Sequence, residues 1–478
     1  MKVAVNLRLL APGKVGGIES YVRNLLESLL YTDPSIELLL FVTDENQSSL
    51  SFDPTRVSKI KLLRDGFCEQ IVIALKDKDI DLYFCPLLVI EPLNIALPSV
   101  VTIPDVQHEF YPNFFSKEIL MWRRENYRAS ALVADAVLTP SQYSATTISE
   151  KLSITENKIF PISHSADESY SSEFDLEAER YFLRKFNLPD VYGYFPANTW
   201  PHKNHIALAK ALRIYNAQYS PIKIVLTGEQ DSGHELLLKT IADEGLGGYI
   251  IHLGYVQKKI VRCLYKNASF LVFPSLFEGF GMPVLEAMLS DCPVLCSGVT
   301  SLPEIAGDAA LYFDPNDPYD IAEAMRMVTS DQKLRQNLIV KGRFQANKFR
   351  GNREAEKTLE VFRTLITAAN PGLRSWRLRS DAPSVDHAYL HSDGIYLPAR
   401  PNSYNSSQYN KVNDCEREHM DLLNTHVSER KAHNSELRLQ LDDSDAGIDK
   451  TVSGNFSRLT KPLRYIRRII SNYKSGSR

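Results

Sequence analysis

Short apolar runs that read as β-strands alternate with helical segments along this chain, and the alternation happens twice. In the first series Lys2–Leu9, Ile36–Thr43, Lys59–Leu63, Asp81–Pro86, Ser99–Pro104 and Ala136–Pro140 are strand candidates. Helical periodicity covers Gly17–Leu30 and Ser116–Ala134. The second series begins at Val191–Asn198 and continues with Lys223–Gly228, Tyr249–Gly254, Ser269–Ser275 and Pro293–Ser297. Helices near His205–Tyr215, Gly233–Glu244 and Lys258–Asn267 separate these strands. Strands alternating with helices form parallel sheets covered on both faces. The chain has 478 residues and 44% hydrophobic content, enough for two or three globular cores. The expected class is therefore α/β, with two tandem Rossmann-like domains at 1–185 and 186–369. Helical segments from Pro318 to Leu365 close the second. In open sheets of this kind ligands sit beyond the carboxyl ends of the strands.

One such strand end carries a distinctive pattern. Phe-Pro-Ser-Leu-Phe-Glu-Gly-Phe-Gly-Met-Pro-Val-Leu-Glu places Glu278 and Glu286 eight residues apart around a Gly-Phe-Gly turn. Pro283 suits the first turn of a helix, so Gly279, Phe280, Gly281, Met282 and Val284 bracket a strand-to-helix junction. The first N–H groups of a helix lack partners and lie at its positive end, which favours a phosphate. Carboxylates cannot bind phosphate, but they accept hydrogen bonds from sugar or ribose hydroxyls. Spacing alone also fits an ordinary turn whose Glu interacts with the helix dipole.

In its context this run resembles the E-x7-E signature of retaining glycosyltransferases of family four, which have the GT-B fold. Thr300–Ala310 (Thr-Ser-Leu-Pro-Glu-Ile-Ala-Gly-Asp-Ala-Ala) follows at the family's usual distance, and Gly16–Val22 looks like its first glycine loop. The resemblance extends to about residue 365. It implies a cleft between the two domains, with the last closing helix crossing back to the first. Gly16 and Gly17 are then expected at the donor, where the absence of Cβ permits close approach. Lys203, in Asn198-Thr-Trp-Pro-His-Lys-Asn-His205, matches the family's Lys that reaches the donor's diphosphate. The family often has an Arg about six residues earlier; here Ala197 and Asn198 stand there, so Lys203 is the main cation and Asn198 a donor contact. Glu278 is expected on the donor sugar and Glu286 on the ribose. Many relatives carry His-Asp where this chain has Pro104-Asp105. That leaves Asp105 or His108, three residues on, for the role of the missing histidine, while His108 fits a structural histidine equally well. The family's front-face route needs no covalent nucleophile. The protein stabilises the departing diphosphate through Lys203 and the helix end, and no metal or other cofactor is required. The resemblance is nearest to bacterial enzymes of surface polysaccharide assembly, many of which use GDP-mannose. A mannosyl donor and a glycan or lipid-linked acceptor are thus expected. The alternatives are a nucleotide-sugar epimerase and a silent GT-B binding or scaffold subunit.

Composition adds limits. A formal charge of −3 gives no reason to expect nucleic-acid binding. The six cysteines form no C-x2-C pair and read as reduced core thiols, most of them in apolar strands. No apolar run approaches the ~20 residues of a membrane span, and the start is too polar for a signal peptide. The expected place is the cytosol or a membrane surface. Residues 370–450 read as a linker or loosely ordered segment, with a short polar helix or coiled coil possible at Glu416–Leu441. Residues 451–478 carry seven Lys or Arg and no acid. There Phe456, Leu459, Leu463, Ile466, Ile470 and Tyr473 recur at helical spacing among the basic residues. This fits an anionic membrane surface, and equally a docked helix or a disordered basic end.

Overall fold

The computed structural model describes residues 1–12, 17–95, 97–171, 184–186 and 188–369, together with two short paired strands at Ala388–Leu390 and Tyr396–Pro398. Gly16, the rest of residues 370–450 and the basic tail lie outside the described residues.

Two parallel sheets organise residues 1–369. The first holds β1 (Lys2–Asn6), β2 (Glu37–Val42), β3 (Val57–Lys61), β4 (Leu82–Cys85), β5 (Ser99–Thr102), β6 (Ala136–Thr139) and β7 (Ile159–Pro161), in the order β3-β2-β1-β4-β5-β6-β7. The second holds β8 (Tyr192–Pro196), β9 (Lys223–Thr227), β10 (Ile250–His252), β11 (Phe270–Phe273), β12 (Val294–Ser297) and β13 (Ala310–Phe313), in the order β10-β9-β8-β11-β12-β13. Each order reverses once, between β1 and β4 and between β8 and β11, the crevice where such sheets take ligands. The central strands are nearly continuous apolar runs because helices cover both faces. Val3, Ala4 and Val5 in β1, and Phe270 to Phe273 in β11, have no solvent exposure.

Helices α1 (Gly17–Thr32), α2 (Phe67–Lys76), α3 (Gln107–Phe110), α4 (Lys117–Val133) and α5 (Gln142–Leu152) belong to the first sheet. The second carries α6 (His205–Gln218), α7 (His234–Asp243), α8 (Lys258–Asn267), α9 (Met282–Leu289), α10 (Leu302–Ala306), α11 (Pro318–Ser330) and α12 (Gln332–Ala346). Side-chain caps start several of them. Ser116 Oγ accepts from Ile119 N at 3.3 Å and Ser141 Oγ from Ser144 N at 3.1 Å. The last helix, α13 (Arg353–Ala368), returns to the first sheet. Its Ala355, Leu359 and Phe362 are buried in that sheet's core, and Phe362 meets the Phe84 ring edge-on at 5.2 Å. Glu354 at its start accepts from Ser165 N at 2.8 Å and pairs with His164 Nδ1 at 2.9 Å, which ties the connecting segment to the crossing helix.

The cysteine expectation needs a correction. Only Cys85 and Cys296 lie in strands; Cys68 and Cys263 lie on helices, and Cys292 precedes β12. The inner face of an amphipathic helix buries a small apolar thiol as well as a strand does. All five described cysteines are free. No described helix is long and apolar enough to cross a membrane.

Candidate active site

The strand-to-helix junction after β11 forms a cradle of backbone donors. Gly281 adopts φ 105°, a left-handed conformation suited to glycine, and α9 starts at Met282 with Pro283 in its first turn. The loop's carbonyls are engaged on one side. Ser301 Oγ donates to Glu278 O at 2.9 Å and to Phe280 O at 3.0 Å, and Val284 N donates to Gly281 O at 2.9 Å. Gly279 O accepts from Ser141 Oγ at 2.7 Å and Ser144 Oγ at 3.2 Å, both on the first domain. The N–H groups of Gly279, Phe280, Gly281 and Met282 have no partner among the described residues. Unpaired donors at a positive helix end are what an anion needs.

Charged side chains converge beside this cradle. Lys203 ends a short turn after β8, and its Nζ lies 2.6 Å from Glu278 Oε1. Both side chains are mostly buried, at 13% and 12% exposure. Leu276 N donates to His202 O at 2.8 Å, and Asn204 Nδ2 donates to Pro274 O at 3.1 Å. The lysine loop and the glutamate loop are thereby fixed against each other. Asn198 uses its Oδ1 to accept from Glu229 N at 2.9 Å, which joins the loops after β8 and β9.

Asp105 and His108 part company. Asp105 is half-buried, and burial holds its carboxyl above the usual range, against a backbone hydrogen bond from Gln107 and the charges of Arg123 and Lys203. The Glu278 charge also acts on it, so Asp105 belongs to the same electrostatic group as Lys203 and Glu278. A Cβ on Gly279 would stand 2.5 Å from Pro104 O; only glycine permits this approach of the two domains. His108 is wholly buried, with Tyr127 at 5.0 Å and Phe115 at 6.4 Å, both edge-on. Among the described residues neither ring nitrogen has a hydrogen-bond partner, Nε2 lying 3.7 Å from Glu109 Oε1, and burial pushes the pKa down to about 3. It is placed as a neutral core residue rather than as a member of the cleft group.

Glu286, the fifth residue of α9, sits in a cage of tyrosines. Tyr265 Oη donates to its Oε2 at 3.0 Å, and Tyr170, on the segment joining the sheets, also hydrogen-bonds it. Burial raises its pKa against these two hydroxyls and the nearby Lys258 charge. Gly17 opens α1, and a side chain there would meet open space.

Several residues at the site carry no motif. Arg123 on α4 has a buried Nε without a partner among the described residues; its guanidinium lies over the rings of Phe115 at 4.6 Å and Tyr127 at 5.6 Å. Its charge acts on Asp105 and, across the cleft, on His202. Tyr265, Tyr170, Ser141 and Ser144 are likewise recognisable only in three dimensions, and so is the contact of Glu304 with α5. Among the described residues no three His, Cys, Asp or Glu side chains are grouped to hold a metal ion.

Residues 186–345 match the family described as Glycosyl transferases group 1. O-antigen chain mannosyltransferase B of Escherichia coli is 28% identical over 279 residues, 57% of this chain and 73% of the relative. Serotype-specific mannosyltransferase WbdA of the same species is 31% identical over 275 residues, 56% of this chain but only 33% of the relative. The chain therefore spans about a third of WbdA. The crystal structure of Anabaena Alr3699/HepE in complex with UDP and glucose superposes with a TM-score of 0.60 at 16% identity, covering 76% of this chain and 99% of that one. Residues 186–345 thus match a group 1 glycosyltransferase domain, and the two sheets together have the GT-B fold.

Proposed function

We propose that the chain transfers mannose from GDP-mannose, with retention at the anomeric carbon, to a hydroxyl of a glycan or lipid-linked acceptor in surface polysaccharide synthesis. The observation that carries this reading is the row of unpaired N–H groups at Gly279–Met282 beside Lys203, flanked by two carboxylates. The two Escherichia coli mannosyltransferases support the sugar, and HepE, bound to UDP and glucose, supports a nucleotide and a hexose in this fold.

In this reading the N–H row and Lys203 hold the diphosphate, with Arg123 adding positive charge from the first domain. Lys203 turns from Glu278 towards the phosphates, and Glu278 then accepts hydrogen bonds from sugar hydroxyls. Glu286 accepts from the ribose, and Asp105 faces the transferred sugar. The bond between the anomeric carbon and the diphosphate oxygen breaks. The acceptor oxygen forms its bond on the same face and gives its proton to the departing diphosphate. The protein's contribution is charge stabilisation on the leaving group, from the fixed N–H row and from Lys203 once it has turned. A metal ion has no part in this scheme.

The test is a transfer assay with GDP-, UDP- and dTDP-hexoses on a mannoside acceptor, with the product anomer read by NMR. An α-mannoside formed from GDP-α-mannose supports the reading. A β-product, an epimerised donor, or transfer from another donor alone overturns it. For the basic tail we propose contact with an anionic membrane. Deleting Thr451–Arg478 should release the chain from anionic liposomes, whose hold on the full chain should weaken with salt. A full chain that ignores such liposomes at low salt refutes this.

A further inference from the structure

The donor loop lies on the second domain, yet one of its peptide groups is held only by the first. In a trans peptide the C=O and the following N–H point in opposite directions, so fixing a carbonyl aims the next N–H. Ser301 fixes Glu278 O and Phe280 O, which aims the N–H groups of Gly279 and Gly281. The Val284 N bond to Gly281 O aims that of Met282. Gly279 O, which aims the Phe280 N–H, is bound by Ser141 Oγ and Ser144 Oγ at the start of α5. The same turn of α5 receives a second group from the other domain. Glu304 Oε1 accepts from Gln142 N at 2.9 Å, and its Oε2 from Tyr143 N at 3.2 Å. A carboxylate at a helix N-terminus is well placed electrostatically, and here it comes from the opposite sheet.

We propose that Ser141, Ser144 and Glu304 are positioning residues of the donor site: Glu304 docks the start of α5 against the second domain, and the two serine hydroxyls then set the peptide that presents the Phe280 N–H to the donor's diphosphate. None of the three touches the donor. The proposal rests on the reading of that loop as the diphosphate site. Its consequence is that donor affinity depends on first-domain hydroxyls, and that the second domain's cradle is complete only when the domains meet.

The experiment has two arms on the full-length chain. The first needs no ligand: hydrogen exchange is followed by mass spectrometry over the peptide containing Gln142 and Tyr143. Exchange there should be at least tenfold faster in Glu304→Ala than in the native chain. Equal exchange overturns the docking whatever the ligand. The second arm measures GDP-mannose binding by calorimetry. Ser141 also caps α5, so Ser141→Ala would confuse two effects. Ser141→Asp keeps an N-cap acceptor but turns a carboxylate towards Gly279 O, where no hydrogen can be donated. Ser144→Ala leaves the cap bond from Ser144 N intact and removes one donor. Ser141→Asp should weaken donor binding at least tenfold, and Ser144→Ala several-fold, with melting temperature nearly unchanged and KM affected more than kcat. Native affinity in Ser141→Asp overturns the positioning role. Should the native chain bind no GDP-mannose, the donor reading falls, and the exchange arm still decides whether Glu304 docks the domains.

Discussion

The two sheets share a strand order but differ at their carboxyl ends. At the second, the crevice between β8 and β11 holds an open row of N–H groups, and among the described residues Lys203 is ion-paired only with Glu278. At the first, the equivalent position after β1 is sealed. Arg8 is buried over the Phe67 ring and paired with the equally buried Glu91, and Asn6 donates to Tyr83 Oη and Glu91 O. Apart from Glu91 Oε1, these polar groups are engaged with one another, and engaged groups hold a shape. What the first sheet offers the cleft comes from its β5 and β6 ends, as Asp105 and the serine turn of α5. One topology thus yields a half with an open row of donors and a half that packs against it. Topology alone assigns no chemistry; unsatisfied groups do.

The comparison breaks most clearly at Lys203. Lys203→Ala should lower kcat by about a hundredfold or more, the order expected when one preorganised electrostatic partner of a developing charge is removed. Steady-state kinetics reads this, and a loss below threefold would show that the second sheet's cation does not serve the leaving group. A smaller effect is expected at Glu286. Glu286→Gln keeps the shape and removes a charged acceptor, at a cost of about 1.5–3 kcal/mol, or at least tenfold in donor affinity. Unchanged affinity by calorimetry would remove Glu286 from the ribose.

His108 gives the smallest effect on activity and sharpens the contrast from the first sheet's side. Its neutral form is buried, with a folded pKa of about 3 against an ordinary 6.5. The unfolded chain binds the extra proton first, so this stability is complete above about pH 6.5 and is lost as pH falls towards 3. His108→Leu removes a ring whose nitrogens are unpartnered, so stability at neutral pH should change little. The fall in melting temperature between pH 6.5 and 4 should become shallower, while GDP-mannose turnover stays within twofold. A large loss of turnover in the folded variant would return His108 to the reaction.

Much of this was legible in the sequence because periodicity and turn chemistry are local. Gly17 opens α1 as the helical pattern predicts, Ser116 caps α4, and Pro283 sits in the first turn of α9. Some elements were not. The run Gln-Tyr-Ser-Ala-Thr-Thr-Ile-Ser-Glu-Lys-Leu forms α5 although Ser and Thr favour helix interiors weakly; its Ser141 cap and tertiary packing decide. The edge strand β3 lies at Val57–Lys61, two residues before the apolar run suggested, because register with β2 sets it. At the site, Lys203 and Glu278 could be named from their motifs, but their pairing spans 75 positions and only folding reveals it. The same holds for Asp105 over His108. Both are polar residues in one segment, and a short helix, Gln107–Phe110, carries His108 into the core while Asp105 stays at the cleft. Arg123 had no local signal at all, and Glu304, although inside the Thr300–Ala310 run, had none for its contact with α5, since both roles depend on what the opposite sheet brings to them.

The central claim is that the second sheet's loop and Lys203 hold a diphosphate, and nucleotide affinity tests it most directly. GDP, UDP and dTDP would each be titrated calorimetrically into the full chain beside the corresponding nucleoside. For the preferred base, the diphosphate should bind at least a hundredfold more tightly than its nucleoside, and Lys203→Ala should shrink that ratio at least tenfold. A nucleoside that binds as tightly as its diphosphate, or a ratio indifferent to Lys203, would contradict the account.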